Sequence, residues 1–192
     1  MTISDEKNLI AQLKADDRSA INTIFLKYHG LLCRISLRIV SNPEEAKDVV
    51  QEVFIKLWRN RKELNIQYSL EAYLKRAVVN TSLNHIESKN RFTSLDATNS
   101  AFNQVAESTA DQQQSFDELS TQVDHAIDNL PLRTKTVFTL VRFEEMSYKE
   151  VSESLDISLK AVEKEMMKAL KLLREALKNY LPLVLLPILA AF

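Results

Sequence analysis

The sequence is poor in the residues that build tight turns, cross-links and metal sites. One glycine and four prolines occur among 192 residues, whereas β-sheets with tight hairpins usually need more of both. Cys33 is the single cysteine, so no disulfide can form within the chain and a reducing, cytoplasmic location is expected. The three histidines lack metal-ligand spacing, and we expect no metal or other cofactor. These shortages predict an all-α protein.

Basic residues are absent from one long stretch of the chain. Residues 92–132 contain seven acidic residues and neither Lys nor Arg, while the stretches before and after carry net charges of +4 and +2. Over most of this stretch the helical periodicity of apolar residues is also lost. The sequence therefore predicts two small helical domains, residues 1–91 and 120–180, joined by a flexible acidic linker, residues 92–119.

Motifs for catalysis, phosphate binding and membrane targeting are missing. No nucleophile is paired with a base, and no glycine-rich loop is present, so neither an enzyme nor a small-molecule substrate is expected. Residues 1–17 are mixed polar and charged, unlike a signal peptide. The apolar tail, residues 181–192, is too short to span a bilayer and contains two prolines. Packing on the chain's own fold, binding of an inhibitory partner, self-association and recognition by a protease all stay open for it.

The stretch Ser147–Arg174 has the pattern of a helix-turn-helix. Apolar residues recur at helical spacing, and the period breaks once, at Asp156, where the chain must turn sharply. Ser147 and Glu150 match a capping box for the first helix, and Ser158 can cap the second. In such a unit the second helix lies in the major groove of DNA.

One polar face of that second helix is a candidate DNA-reading surface. The residues predicted to face outwards are Lys160, Glu163, Lys164, Met167 and Lys168. Lysines suit phosphates or guanine, and a glutamate can accept a hydrogen bond from cytosine N4. An ordinary helical hairpin with a solvated lysine face has the same pattern, so this stretch alone leaves both interpretations open.

The N-terminal block is predicted to contain three long helices after a short one. The clearest start is Asn42 as cap, with Pro43 at the first helical position. The helix that follows has an exposed polar face next to its apolar one, and a solvated face is the simplest interpretation of it. Ser69 can cap the third long helix, whose cations lie near aromatic residues. That pairing suits unstacked single strands, but it is also common on exposed helices.

The order of these elements and four motifs resemble the extracytoplasmic-function group of bacterial sigma-70 factors, in the branch common in Bacteroidetes. The motifs are EEAKDVVQEVFIKLW, YLKRAVVNTSLNHI, LPLRTKTVFTLVRFEEMSYKEVSESLDIS and KAVEKEMMKALKLLR. The resemblance covers roughly residues 5–178. Its specificity comes from two independent domains in the family's order with a linker between them.

The resemblance implies an alternative sigma factor, a dissociable subunit that gives core RNA polymerase its promoter specificity. Residues 1–91 would be region 2, and the residues implied to contact the clamp helices of the largest polymerase subunit are Asp48, Gln51, Glu52 and Phe54. Those implied to meet the minus 10 element as it melts are Lys75, Arg76, Asn80 and Asn84. Asn80 occupies the position that lies beside a flipped-out base, a role that suits an amide because it donates and accepts.

Residues 120–180 would be region 4, held on the polymerase flap. The residues implied to read the minus 35 element are Ser158, Lys160, Glu163, Lys164 and Lys168. The acidic linker would run toward the RNA exit path, where a basic channel attracts it, or it would only be solubilising. An anti-sigma factor, often membrane bound in this family, is the implied inhibitory partner.

The sequence departs from the family pattern at three places. Asp156 replaces the usual turn glycine, and Ser152 replaces a small apolar residue. Glu163 and Glu165 replace more basic or polar residues of the recognition helix, so no particular upstream promoter sequence can be carried over. Two other classes stay open: a helix-turn-helix regulator that binds duplex DNA as an independent dimer without polymerase, and a helical adaptor protein.

Overall fold

The chain is helical throughout the part that the computed structural model describes, residues 3–66, 69–93 and 114–178. These residues form eight α-helices and no strand: α1 Ile3–Lys14, α2 Arg18–Val40, α3 Pro43–Arg59, α4 Leu70–Thr93, α5 Gln114–Asp128, α6 Leu132–Arg142, α7 Tyr148–Leu155 and α8 Leu159–Ala176. A short 3₁₀ helix, Arg61–Glu63, follows α3, and the sequence pattern does not indicate it. The prediction of an all-α fold is confirmed.

The chain divides into two compact units, residues 1–95 with 153–156 and residues 96–152 with 157–192. α4 continues to Thr93 and α5 begins at Gln114, so helix extends into both ends of the range predicted to be linker. The rest of that range and the apolar tail, residues 181–192, lie outside the described residues.

The first unit is built on three long helices that all contact one another, α2, α3 and α4, with α1 packed against α2. Their apolar stripes face inwards, and the largest fully buried side chains include Tyr28, Ile24, Leu32, Ile35, Leu57, Leu70 and Leu74. Each such aliphatic side chain contributes about 1.5 to 3 kcal/mol by leaving water. The triangle of helices leaves the outer faces of α3 and α4 free for other contacts.

The crossing of α2 and α4 is made by small hydroxyl side chains. Ser36 on α2 and Ser82 on α4 are both fully buried, and their Oγ atoms are hydrogen bonded at 3.1 Å. The separation of two packed helices depends on the side chains at their contact, and side chains as small as serine permit a close approach there. One hydroxyl donates and the other accepts, so both take part in a hydrogen bond, whereas a buried hydroxyl without a partner would cost about 1 to 3 kcal/mol.

The helix starts predicted in the first unit are confirmed. Asn42 Oδ1 accepts hydrogen bonds from the backbone N–H of Glu44 at 3.0 Å and of Glu45 at 3.1 Å. Ser69 Oγ accepts from the N–H of Ala72 at 3.1 Å. Side-chain caps of this kind satisfy N–H groups that have no partner inside the helix, and each contributes about 1 kcal/mol. The caps fix where α3 and α4 begin.

The second unit packs α5 and α6 against α8, and α7 precedes the turn into α8. The residues of this unit with little or no exposed surface include Val137, Leu140, Val151, Val162 and Ala169. The predicted capping box of α7 is present, since Ser147 N–H donates to Glu150 Oε2 at 2.8 Å and Glu150 N–H donates to Ser147 Oγ at 3.3 Å. The helix-turn-helix pattern is therefore confirmed in its local structure.

The turn between α7 and α8 has the backbone geometry that the sequence predicts. Asp156 has a φ of 52°, in the left-handed region where glycine is usual. Ile157 N–H donates to the carbonyl of Ser152 at 3.0 Å and closes the turn. Ser158 then caps α8, because its Oγ accepts from the N–H of Ala161 at 3.2 Å.

None of the helices in the described ranges combines the length and the apolar composition that crossing a bilayer requires. The same ranges hold no group of three or more His, Cys, Asp or Glu side chains arranged to hold a metal ion.

Candidate nucleic-acid and partner interfaces

The outer face of α3 presents a mixed acidic and apolar surface. Asp48, Gln51 and Glu52 are exposed, and their spacing of three and four residues places them on one side of the helix. Ile55 lies on the same side and is 43% exposed. Glu52 pairs with Lys56 at 2.6 Å, but an exposed pair of this kind contributes only a few tenths of a kcal/mol. The helix thus offers carboxylates around an apolar centre.

Phe54, predicted with this surface, lies behind it. Its side chain is only 7% exposed, and its ring packs against that of Phe25 on α2, with centroids 5.0 Å apart. Phe25 also contacts the His29 ring, with centroids at 4.6 Å, and is itself 39% exposed. Phe25 and Ile55 are therefore two apolar side chains that a partner could reach, and Phe54 packs behind Phe25.

The outer face of α4 carries three of its four predicted DNA-contacting side chains together. Arg76, Asn80 and Asn84 are exposed and follow each other at intervals of four residues, so they form one stripe along the helix. A guanidinium and two amides in line supply charge for phosphates and hydrogen-bonding groups for base edges.

Lys75, the fourth predicted residue of α4, does not belong to that stripe. Its side chain is 17% exposed, and its Nζ pairs with Glu71 Oε1 at 3.0 Å, one turn earlier on the helix. A contact to DNA would have to compete with this ion pair. The structure thus separates Lys75 from Arg76, although they are adjacent in sequence.

Glu6 on α1 links three helices at the start of α4. Its carboxylate accepts from the Tyr28 hydroxyl of α2 at 3.2 Å and, more weakly, from the N–H of Leu70 at 3.4 Å. A carboxylate at a helix N-terminus also interacts favourably with the helix dipole. α1 therefore helps to fix the end of α4 that meets the rest of the unit.

Glu45 fixes the second half of α4 to α3. Its carboxylate oxygens pair with Lys89 at 2.5 Å and with His85 at 3.0 Å, and its side chain is 21% exposed. The hydrogen bond from Lys89, together with that from His85, lowers the pKa of Glu45 from its usual range. Both ends of the helix that carries Arg76, Asn80 and Asn84 are thus tied to its neighbours by carboxylates.

The outer face of α8 agrees with the prediction made for it. Lys160, Glu163, Lys164, Met167 and Lys168 are all exposed. Ser158, Glu163 and Met167 are among the residues that line a shallow depression on this face. Ser158 contributes mainly as the cap of α8. The face combines cations with one carboxylate and one apolar side chain.

Glu165, also on α8, turns away from this face. Its Oε2 accepts from the hydroxyl of Thr134 on α6 at 2.7 Å, and its Oε1 lies 3.9 Å from Arg133 Nε. The Glu165 side chain is 17% exposed, and Thr134 is fully buried. Glu165 therefore holds α8 against α6. Of the two glutamates that depart from the family pattern, only Glu163 lies on the outer face.

Two family descriptions match the chain in succession. Residues 24–92 match sigma-70 region 2, and residues 120–173 match sigma-70 region 4. Together these matches include well over half of the chain. The chain belongs to the sigma-70 family. The α3 and α4 faces of this sigma factor lie in region 2, and the α8 face lies in region 4.

Full-length relatives of this sigma factor point to the extracytoplasmic-function group. It is 25% identical to RNA polymerase sigma-H factor of Pseudomonas aeruginosa over 189 residues, covering 94% of this chain and 98% of the relative. It is 27% identical to ECF RNA polymerase sigma factor SigW of Bacillus subtilis, covering 90% and 97%. ECF RNA polymerase sigma-E factor of Haemophilus influenzae is also 27% identical, covering 91% and 94%. These names support membership of that group, and the Bacteroidetes branch stays a prediction.

Solved structures share the fold of this sigma factor. CnrH, in complex with the cytosolic domain of CnrY, superposes with a TM-score of 0.64 at 19% identity, covering 91% of this chain and 97% of the other. RpoE of Bartonella quintana, in complex with the anti-sigma factor NepR, gives a TM-score of 0.63 at 17% identity, covering 82% and 96%.

Sequence reasoning missed three features of these faces. Phe25 belongs to the apolar stripe of α2, and nothing in its pattern separates an exposed ring from a buried one. Ile55 occupies a polar face as a single apolar residue, a signal that could have been noticed. The pairing of Glu165 with Thr134 joins residues far apart in sequence, and no local pattern indicates it.

Proposed function

We propose that this sigma factor binds core RNA polymerase and directs it to promoters of particular sequence, with no chemistry of its own. The observation that carries the proposal is the presence of regions 2 and 4 in one chain, each with an exposed polar helix face. Region 2 would read the minus 10 element and region 4 the minus 35 element. Residues 1–91 and 120–180 are the proposed extents of the two domains.

The α3 face is the proposed contact with the clamp helices of the largest polymerase subunit. Asp48, Gln51 and Glu52 supply a hydrogen-bonding rim, and Ile55 with Phe25 supplies an apolar centre. Interfaces of this type gain most from apolar side chains that lose water, while exposed charges steer association. Phe54 keeps its predicted role only as the residue that supports Phe25.

The α4 stripe is the proposed reader of the melted minus 10 element. Arg76 would bind backbone phosphate, while Asn80 and Asn84 would bind base edges by donating and accepting. Melting exposes the edges that pair within the duplex, so amides can recognise a base turned out of the stack. Lys75 would take part only after leaving Glu71.

The α8 face is the proposed reader of the minus 35 duplex, in the major groove, with region 4 held on the polymerase flap. Lys160, Lys164 and Lys168 place three cations on one side of a helix whose N-terminal half enters the groove in such units. Phosphate contacts set the position of the helix, and the side chains nearest its start read bases.

An anti-sigma factor is a further proposed partner, and the cytoplasm is the proposed location. Among the solved neighbours, RpoE is bound to the anti-sigma factor NepR, and CnrH is bound to the cytosolic domain of CnrY. We also propose that the chain belongs to the Bacteroidetes branch, and that the acidic linker lies along the RNA exit path of the polymerase. For the apolar tail, four alternatives stay open: packing on the chain's own fold, binding of an inhibitory partner, self-association and recognition by a protease.

Reconstitution with core polymerase tests the proposal. The purified chain is mixed with core enzyme and fragmented genomic DNA, and transcript start sites are mapped. We expect start sites that depend on the added chain, together with weak binding of duplex DNA by the chain alone. Tight duplex binding without polymerase and no new start site would favour an independent helix-turn-helix regulator instead.

A further inference from the structure

The two glutamates near the start of α8 have opposite environments. Glu165 accepts from the Thr134 hydroxyl at 2.7 Å and is largely buried. Glu163 is exposed, and its carboxylate takes part in no ion pair or side-chain hydrogen bond within the described residues. These two carboxylates therefore differ in role, because Glu165 serves the fold and Glu163 points into solvent.

Glu163 lies among the cations of the same face. Lys160 precedes it by three residues and Met167 follows it by four, so all three share one side of the helix. Lys164 is its direct neighbour, and the four side chains line the shallow depression on α8. If α8 docks in the major groove through these lysines, the Glu163 carboxylate, in the N-terminal half of the helix, would face the base edges.

An unpaired carboxylate in that position is costly unless it finds a donor. It is repelled by phosphates and loses its water on docking, and a desolvated charge without a partner is strongly unfavourable. The major groove presents donors only at cytosine N4 and adenine N6. Next to adenine N6 lies the N7 acceptor, which repels a carboxylate, whereas cytosine has a C–H group there. Guanine and thymine present acceptors on this edge.

We propose that Glu163 is a specificity-determining residue, whose carboxylate accepts a hydrogen bond from the N4 amino group of one cytosine in the minus 35 element. The inference rests on the proposed function, since it requires α8 to dock in the major groove. Glu163 would also discriminate against the other three bases, because each of them at that position leaves the carboxylate unpaired or facing an acceptor.

A randomised minus 35 element tests the inference in the reconstituted holoenzyme. Templates that share one minus 10 element and differ at every upstream position are transcribed by the wild type, Glu163→Ala, Glu163→Gln and Glu165→Ala. The wild type should favour cytosine at one position by about tenfold, as expected for one well-placed contact. Glu163→Ala should lose that preference alone and tolerate all four bases. Glu163→Gln should shift it toward adenine, because an amide pairs with N6 and N7 together.

Glu165→Ala is the matched control within the same helix. It removes a carboxylate two residues away but leaves Glu163 in place, so initiation should weaken on all templates while the cytosine preference survives. Circular dichroism of each variant confirms that the helices remain.

The inference fails if the wild type initiates on the library without a cytosine preference, or if Glu163→Ala keeps that preference. It also fails if Glu163→Ala weakens every position alike. Initiation itself persists in those results, so the proposed function survives them. A wild type that initiates on no template overturns the proposed function and, with it, the inference.

Discussion

Asn80 is the side chain of α4 whose removal should separate promoter opening from polymerase binding. It is exposed in the middle of the stripe between Arg76 and Asn84, and no core packing depends on it. We expect Asn80→Ala to reduce open-complex formation about tenfold, the size of one lost base contact, while affinity for core polymerase is unchanged. Permanganate footprinting measures the opening, and fluorescence anisotropy measures the binding.

Asn8→Ala is the matched control for this substitution. Asn8 is also an exposed helical asparagine, but it lies on α1, away from the α4 stripe in sequence. Open-complex formation by this variant should equal that of the wild type. A parallel loss of core binding in Asn80→Ala would contradict the assignment and indicate damage to the fold.

Glu45 makes the free energy of unfolding of the first unit depend on pH in a known direction. Its folded pKa lies below the usual 4.5, because Lys89 and His85 bond to its charged form. Its contribution to the free energy of unfolding is therefore complete above about pH 4.5 and is lost as the pH falls through the lower folded value. Glu45→Gln should cost about 1 kcal/mol at neutral pH, and the difference from the wild type should shrink in acid.

Urea unfolding followed at a series of pH values checks this expectation. Glu44→Gln is the control, since the Glu44 side chain is 79% exposed and bonds only within its own helix turn. The control should show no comparable narrowing in acid. If the difference in free energy of unfolding between the wild type and Glu45→Gln does not change with pH, the ion pairs of Glu45 are not its cause.

Among the contacts between helices, the hydrogen bond of Glu165 on α8 with Thr134 on α6 could not be predicted from the sequence. Glu165→Ala leaves the buried Thr134 hydroxyl without its acceptor, which should cost about 1 to 3 kcal/mol of stability. Adding Thr134→Val to Glu165→Ala removes the hydroxyl that lost its acceptor. The double variant should therefore recover part of the stability that Glu165→Ala loses. A double-mutant cycle from thermal unfolding measures the coupling. Strictly additive effects would show that the two side chains are not coupled.

The starts of the helices were predictable because their causes are local. Asn42, Ser69 and Ser158 each bond to N–H groups two or three residues later, so sequence spacing alone contains the whole interaction. The left-handed turn at Asp156 follows in the same way, since a break in the apolar period leaves few residues to make the turn.

The faces were predictable only where exposure follows from helical spacing. Arg76, Asn80 and Asn84 share a stripe for that reason. The ion pair of Lys75 with Glu71 and the burial of Phe54 depend on which rotamer and which neighbouring helix prevail. Such choices are settled by packing between elements, and a one-dimensional pattern contains no information about them.

In the whole molecule, regions 2 and 4 are joined in one chain, so each DNA contact increases the affinity more than it would in an isolated unit. Once one unit holds the promoter, the other binds as if at high local concentration. We expect Lys160→Ala/Lys164→Ala to weaken holoenzyme binding on promoters with both elements and to leave binding unchanged on templates without an upstream element. The slope of log affinity against log salt should fall by about 2.

Lys178→Ala provides the comparison for this charge removal. Lys178 is exposed just beyond the end of α8, outside the N-terminal half of the helix that enters the groove. Filter binding over a range of salt concentrations should give Lys178→Ala the same slope of log affinity against log salt as the wild type. An equal loss on templates with and without the upstream element would mean that the two lysines act through general attraction and not through region 4.

The serine pair at the crossing of α2 and α4 has a mechanical consequence. Where two helices touch through hydroxyls instead of long side chains, little room is left for one to slide along the other, and a shift would break the hydrogen bond between two buried side chains. We therefore expect region 2 to move as a rigid body while the polymerase melts the promoter. The bending and unwinding then take place in the DNA.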